Sequence, residues 1–390
     1  MNKTTCLNTG LLVLFSTLLV ISGVNAEIID DDTPVPPVGA MGGPDRVLDA
    51  NELEQWIRGR KVFDRDWTQA EGLGTPDLNA DSCRSCHQKP IIGGAGGLDV
   101  NVMRFGLDND GNGPFQDLPG GQVASKLRRP DTPGREESNP QADVFEQRQT
   151  PNTLGLGLIE TISDSEILSN EDPNDLNGDG CRGVARMIDV GGFLEVGKLG
   201  WKSQIPTLYD FLRDALGGET GITVPVDGRG FGMITDADPV ADPEILPEDF
   251  ADMLFFALHL APPPRGGNQD PQVLVGESLF NSVGCAICHI PTLQGSDGPV
   301  PLYSDLLLHD IYPDDFRGTA DLGTPAGVGY YKTPPLWGVR VTAPYLHDGR
   351  ATPLEDAILL HQDEAIQITD AYQALGAEDQ AALLLFLSDL

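Results

Sequence analysis

Two five-residue stretches, Cys83-Arg84-Ser85-Cys86-His87 and Cys285-Ala286-Ile287-Cys288-His289, decide the reading of this chain. Each is C-x-x-C-H. Two thiols three positions apart can reach the two vinyl groups of one porphyrin, and the adjacent histidine then offers its imidazole to the iron. The pattern is the attachment signal of c-type haem, and two copies predict two covalently bound haems. A redox dithiol needs no following histidine. A zinc site would draw both cysteine pairs onto one metal and leave both histidines without a role. Cys181 has no partner left and reads as a buried free thiol.

Working outward, each motif follows a candidate helix, Asn51 to Phe63 and Gln272 to Phe280. Each helix holds a glycine four residues before a phenylalanine: Gly59/Phe63 and Gly276/Phe280. Each motif is also followed by a similar later helix. Residues 247–260 and 377–390 agree at 6 of 14 positions at a constant offset of 130, including Glu248/Glu378 and Phe256/Phe386. A helix before the haem motif packed on a closing helix is the cytochrome c arrangement. The expected fold is therefore mainly α, two cytochrome c-like haem domains with long loop insertions in the first. Ala261-Pro262-Pro263-Pro264-Arg265-Gly266-Gly267 reads as a linker. It divides an N-terminal domain, 27–265, from a C-terminal domain, 266–390.

Residues 1–26 read as a secretory signal peptide cleaved after Ala26. The apolar run Leu11 to Ile21 is too short to span a bilayer comfortably, and no second run of membrane length follows. Export to the periplasm is expected, and an integral membrane protein is not. The 390 residues carry 59 acids against 25 Lys and Arg, a net charge of −34. So acidic a surface repels phosphate and excludes nucleic acid as a partner. With 46 glycines and 31 prolines, loops are plentiful. Two of them, Asp108 to Gly113 and Asp175 to Gly180, match the opening half of a calcium loop. Position twelve holds Pro119 and Arg186 rather than Glu, so full EF-hands are out. Polar turns are the plainer reading.

The second half carries Ser304 to Asp310 (SDLLLHD), Lys332 to Arg350 (KTPPLWGVRVTAPYLHDGR) and ATPLEDAILLH to His361. These resemble the C-terminal domain of bacterial di-haem cytochrome c peroxidases. Together with GLGLIE (Gly155 to Glu160), GWKSQIPTL (Gly200 to Leu208) and LAPPPR, the chain looks most like the related di-haem oxidoreductase family. The resemblance spans about residue 50 to the end and is tightest around the second motif.

That resemblance implies a division of labour. The C-terminal haem accepts electrons from a small donor protein, of cytochrome or cupredoxin type. The N-terminal haem is where peroxide, or an organic substrate, reacts. His361 falls where the family places the distal ligand of the C-terminal haem, and Trp201 where it places the tryptophan between the haems. Glu219 falls where a distal acid is expected, with a spacing from Trp201 two residues short of the peroxidases; Glu160 and Glu146 are the next acids in line. Thr342 and Pro344 match backbone calcium ligands, and Gln149 stands where relatives carry the Asn ligand. His347 and His309 belong to family-like motifs without a catalytic role, and His259 reads as a helix residue with no special role. No His follows the first motif closely; Met103 is the nearest soft ligand and reads as core. Two other functions fit the same residues: a non-enzymatic di-haem electron carrier, and a di-haem enzyme that oxidises a partner protein.

Overall fold

Helix α1 (Ala50–Asp64) starts where Asp49 accepts the N–H groups of Asn51 and Glu52, while Glu52 reaches back to the N–H of Asp49. This reciprocal cap satisfies backbone donors that the first turn leaves open. The other helices used below are α2 (Leu208–Ala215), α3 (Pro247–Leu258), α4 (Pro271–Val283), α5 (Leu354–Leu359), α6 (Ile366–Ala374) and α7 (Ala377–Leu387). In α3 and α4 proline occupies the first turn, where its missing N–H costs nothing. Acids fill the first turn of α3 and α7 and complement the helix dipole there. The computed structural model describes residues 33–74, 77–111, 113–118, 123–124, 126–128, 139–313, 315–320 and 327–390. The expected signal peptide, and Asn112 and Pro119 near the first Asp/Asn/Gly loop, lie outside the described residues. No helix among the described residues is long and apolar enough to cross a membrane.

Helix α1 packs on α3, and α4 packs on α7, in the same manner. The glycines explain why. A Cβ on Gly59 would overlap the carbonyl of Asp252 and stand 2.8 Å from Cβ of Phe256. A Cβ on Gly276 would overlap the carbonyl of Ala382 and stand 2.7 Å from Cβ of Phe386. Asp252 and Ala382 are again 130 positions apart. One turn further on, Phe63 meets Phe256 with ring centroids 5.4 Å apart, and Phe280 meets Phe386 at the same 5.4 Å. The sequence repeat is thus a repeat of helix crossings.

Each pair has its own core. Trp56, Phe63, Leu208 and Phe256 centre one; Val273, Phe280, Tyr303 and Phe386 centre the other. A third core takes Ile159, Ile162 and Val196 from before residue 265 and Leu302, Leu306 and Trp337 from after it. The Pro-rich segment is without helix or strand, but it is not slack. Ala261 donates to the carbonyl of Gly43 at 2.9 Å and Gly266 to that of Asp389 at 2.6 Å, while Arg340 holds the carbonyl of Pro264 at 2.8 Å.

The expectation of a mainly α chain needs correction, because the fold is mixed, though helix-rich. Short antiparallel strands form β1 (Val102–Gly106), β2 (Val123–Ala124) and β3 (Val144–Arg148), ordered β2-β1-β3. Hairpins β4 (Met187–Val190) with β5 (Phe193–Val196) and β6 (Leu293–Gly295) with β7 (Gly298–Val300) follow. Strands β8 (Leu308–Asp310) and β9 (Tyr330–Lys332) pair last. Runs of two to five residues are too short to display a two-residue hydrophobic period.

Candidate functional site

The first motif folds as a helical turn, Cys83–Cys86, with His87 N–H donating to the carbonyl of Cys83 at 2.9 Å. The second repeats the bond from His289 to Cys285 at 3.0 Å. The rings are fixed alike. His87 Nδ1 lies 3.2 Å from the carbonyl of Gly94, and His289 Nδ1 lies 3.0 Å from that of Tyr303. A carbonyl only accepts, so Nδ1 carries the proton and Nε2 keeps its lone pair. Burial pushes both imidazoles down to about 4, so both are neutral at pH 7. Phe63 and Phe280 flank them at centroid distances of 6.3 and 6.4 Å.

His87 and His289 line one and the same cavity, about 270 Å³ in volume. Its walls are largely apolar, with Leu156, Leu199, Leu336 and Leu383 among them, and Cys285 and Cys288 open onto it. Neutral imidazoles with a free Nε2, paired thiols and apolar walls are the donor set and surroundings that haem requires. Cys83 and Cys86 are half-buried beside His87, and burial raises both thiols, to about 12 and about 11.

His361 lines the same cavity, two residues beyond the end of α5. Its Nδ1 sits 2.7 Å from the carbonyl of Ala357, and burial lowers its pKa. It is therefore a third neutral imidazole with Nε2 free. Trp201 also lines the cavity and donates its indole N–H to the carbonyl of Gln149 at 2.8 Å. Gln149, Thr342 and Pro344 form part of the wall, and Gln149 N–H donates to the carbonyl of His347 at 2.6 Å. The side-chain amide of Gln149 donates to the carbonyl of Gly96 at 3.1 Å. This trio offers only neutral oxygens to a cation.

Glu219 is not among the cavity-lining residues. It lies on a widened turn, Leu216–Thr220, and accepts the Asn79 amide at 2.7 Å. Burial raises its pKa, and its charge in turn helps to raise the thiol of Cys86. It therefore accompanies the first motif. The two fallback acids are otherwise engaged. Glu160 accepts the N–H of Leu208 at 2.6 Å, and burial raises it. Glu146 is buried too, but Arg148 and Lys202 more than offset the burial and hold it low. Its carboxylate accepts from Tyr331 at 2.7 Å and from Thr319. Met103 is half-buried in β1, paired with Gln147 and Ala124, away from the cavity lining.

Sequence reasoning left the partners of the remaining residues open. Burial opposes a charge on His309, yet Asp305 at 2.7 Å and Glu364 at 2.9 Å outweigh it and hold the ring up to about 10. His347 is the reverse case, kept neutral by burial, with Tyr312 donating to its Nδ1 at 2.7 Å. Cys181 is buried at 4% exposure, its thiol lies 3.9 Å from the carbonyl of Glu364, and the Cys288 thiol holds its pKa below the usual thiol value. His259 is half-exposed and faces Asp45 at 3.2 Å. In the Asp108 loop the Asp108 carboxylate is taken by Arg317, with one contact at 3.0 Å. In the other loop Asp175 and Asn177 accept backbone N–H groups of Gly180 and Asp179. The described parts of both loops are held by polar contacts of this kind.

Residues 139–390 match the family model described as "Di-haem oxidoreductase, putative peroxidase", and the chain belongs to that family. The family's name implies two haems. Among solved structures the chain is similar to a MauG-like protein associated with microbial copper homeostasis, at 17% identity and a TM-score of 0.42, covering 93% of this chain and 95% of that one. It is also similar to hydrazine synthase of Kuenenia stuttgartiensis, at 16% identity and a TM-score of 0.41, covering 98% and 100%. No curated protein matches the chain in sequence.

Proposed function

We propose that this is an exported, periplasmic di-haem c-type oxidoreductase of peroxidase type. Cys83/Cys86 and Cys285/Cys288 would hold two haems covalently, in cytochrome c-like domains spanning 27–265 and 266–390. The haems supply one-electron transfer and, at an iron with an open face, the reduction of peroxide. His87 and His289 would each hold one haem iron, and His361 would also hold that of the C-terminal haem. Trp201 would help carry electrons between the two centres. Glu219, with its raised pKa, is suited to holding and releasing a proton beside the first motif. Calcium at Gln149, Thr342 and Pro344 would rest on carbonyl oxygens and water alone. A net charge of −34 favours a donor protein with a basic docking face.

The observation that carries this reading is the single apolar cavity shared by His87, His289, His361 and Trp201, with all three imidazoles neutral. The test is to express the protein with a haem-attachment system. Haem per chain, the visible spectrum and peroxide turnover with reduced small cytochromes are then measured. Two covalent haems, one with a high-spin ferric component, and steady turnover are expected. Two fully low-spin haems without turnover would leave an electron carrier; fewer than two would end the reading.

A further inference from the structure

Among the described residues the buried lysines are Lys198, Lys202 and Lys332. Two are fully accounted for. Lys198 Nζ donates to the carbonyl of Ile162 at 2.9 Å and pairs with Asp164 at 3.0 Å. Lys202 Nζ donates to the carbonyl of Val328 and sits 3.7 Å from the centre of the Tyr331 ring. Lys332 differs. It is 8% exposed and lines the cavity, and its Nζ has no hydrogen-bond or ion-pair partner among the described residues.

The nearby acid cannot serve it. Asp305 gives Oδ2 to His309 at 2.7 Å and Oδ1 to the N–H of Leu307 at 2.9 Å. Burial pulls the Lys332 amine down to about 8, with Asp305 only partly opposing. An ammonium taken out of water without a counter-charge costs several kcal/mol. In a chain with 59 acids, a buried cation facing an apolar cavity is a site for a carboxylate that the fold itself does not provide.

We infer that Lys332 is a carboxylate-binding residue of the cavity, and that its ligand is a propionate of a haem seated there. The inference rests on the haem reading above. Every haem carries two propionates, and an anion of that class beside Lys332 Nζ would form a charge-assisted hydrogen bond. The same pair acts on the iron. A cation at the propionate disfavours the ferric state and raises the haem's potential.

The test uses the holoprotein and the variants Lys332→Met and Lys332→Arg. Haem per chain, both midpoint potentials and the propionate bands in resonance Raman spectra are recorded. Lys332→Met is expected to keep two haems but to lower one midpoint potential and move that haem's propionate band, while Lys332→Arg stays near wild type. Should Lys332→Met fail to accumulate, Lys332→Gln, which keeps a donor without the charge, should show the same drop. Unchanged potentials and bands in a variant that holds two haems would overturn the inference. So would an acetate-induced spectral change in wild type that Lys332→Met abolishes, since the site would then be open to a substrate's carboxylate. A wild-type protein without haem would sink the underlying reading instead.

Discussion

The indole N–H of Trp201 donates to the backbone carbonyl of Gln149 at 2.8 Å, while the carbonyl of Trp201 accepts the N–H of Lys332. Trp201 is thereby tied to the end of β3 on one side and to β9 on the other. Its ring is held in the cavity wall by the indole bond, which a neighbouring rotamer would lose.

Trp201→Phe removes that indole bond and the more readily oxidised ring. The expected loss of stability is small, about 1 kcal/mol, the net worth of one hydrogen bond. Electron transfer between the haems should slow, while peroxide binding is unchanged. Stopped-flow reduction through the C-terminal haem would read this, and an unaltered rate would remove Trp201 from the path.

His361→Ala should convert the C-terminal haem from low spin to high spin and shift its potential. The neutral ring, with Nδ1 2.7 Å from the Ala357 carbonyl, is oriented to give Nε2 to an iron. Electron paramagnetic resonance of the ferric protein checks it. A persistent low-spin signal would point to a different ligand.

Glu219→Gln fills the same space and can still meet Asn79, but it cannot relay a proton. Peroxide turnover should fall by at least about tenfold, a conservative bound on what general acid–base help contributes. Both haems should remain bound. Because burial raises the pKa of Glu219, its neutral form is favoured on folding, so the Gln variant should be no less stable at pH 7.

His309 should leave a mark on stability against pH. Its folded pKa of about 10 stands above its unfolded value, about 6.5 for a free histidine. The stabilisation is therefore complete below about pH 6.5 and is lost as pH rises through the folded value. His309→Gln should flatten that decline in urea melts. At pH 7 it should cost about 3–5 kcal/mol, because Asp305 and Glu364 stay buried without their cation.

Gly59→Ala and Gly276→Ala should each destabilise by about 1–3 kcal/mol, the usual cost of overfilling a packed contact. Similar losses are expected, since both added methyls meet a backbone carbonyl and a phenylalanine Cβ. Thermal denaturation compares them directly. A negligible effect at either site would mean that its helix pair can separate freely.

Much of this was legible in the sequence because it was local or periodic. The CxxCH motifs, the glycine–phenylalanine spacing and the offset of 130 residues led to the two helix crossings, and Phe256 and Phe386 do occupy equivalent places. Helix α5 stops at Leu359, two residues short of His361, yet His361 still reaches the cavity. What stayed hidden depends on partners far apart along the chain. His309 meets Glu364 across 55 residues, and Cys181 meets the carbonyl of Glu364 across 183. Neither pairing has a period or a motif to announce it. Lys332 sits inside a quoted motif, but its isolation is a property of three dimensions. The short strands were missed for the same reason, since β1 finds β3 only after a long excursion.

The third core, shared by Ile159, Ile162, Leu302 and Trp337, lies across the Pro-rich segment rather than on one side of it. Cutting the backbone between Pro264 and Gly267 would therefore sever a covalent link without parting the molecule. The two fragments would stay together as a nicked particle and melt in one transition. Motion of one half about the other is correspondingly costly, so any adjustment between the two centres would have to come from side chains in the wall they share.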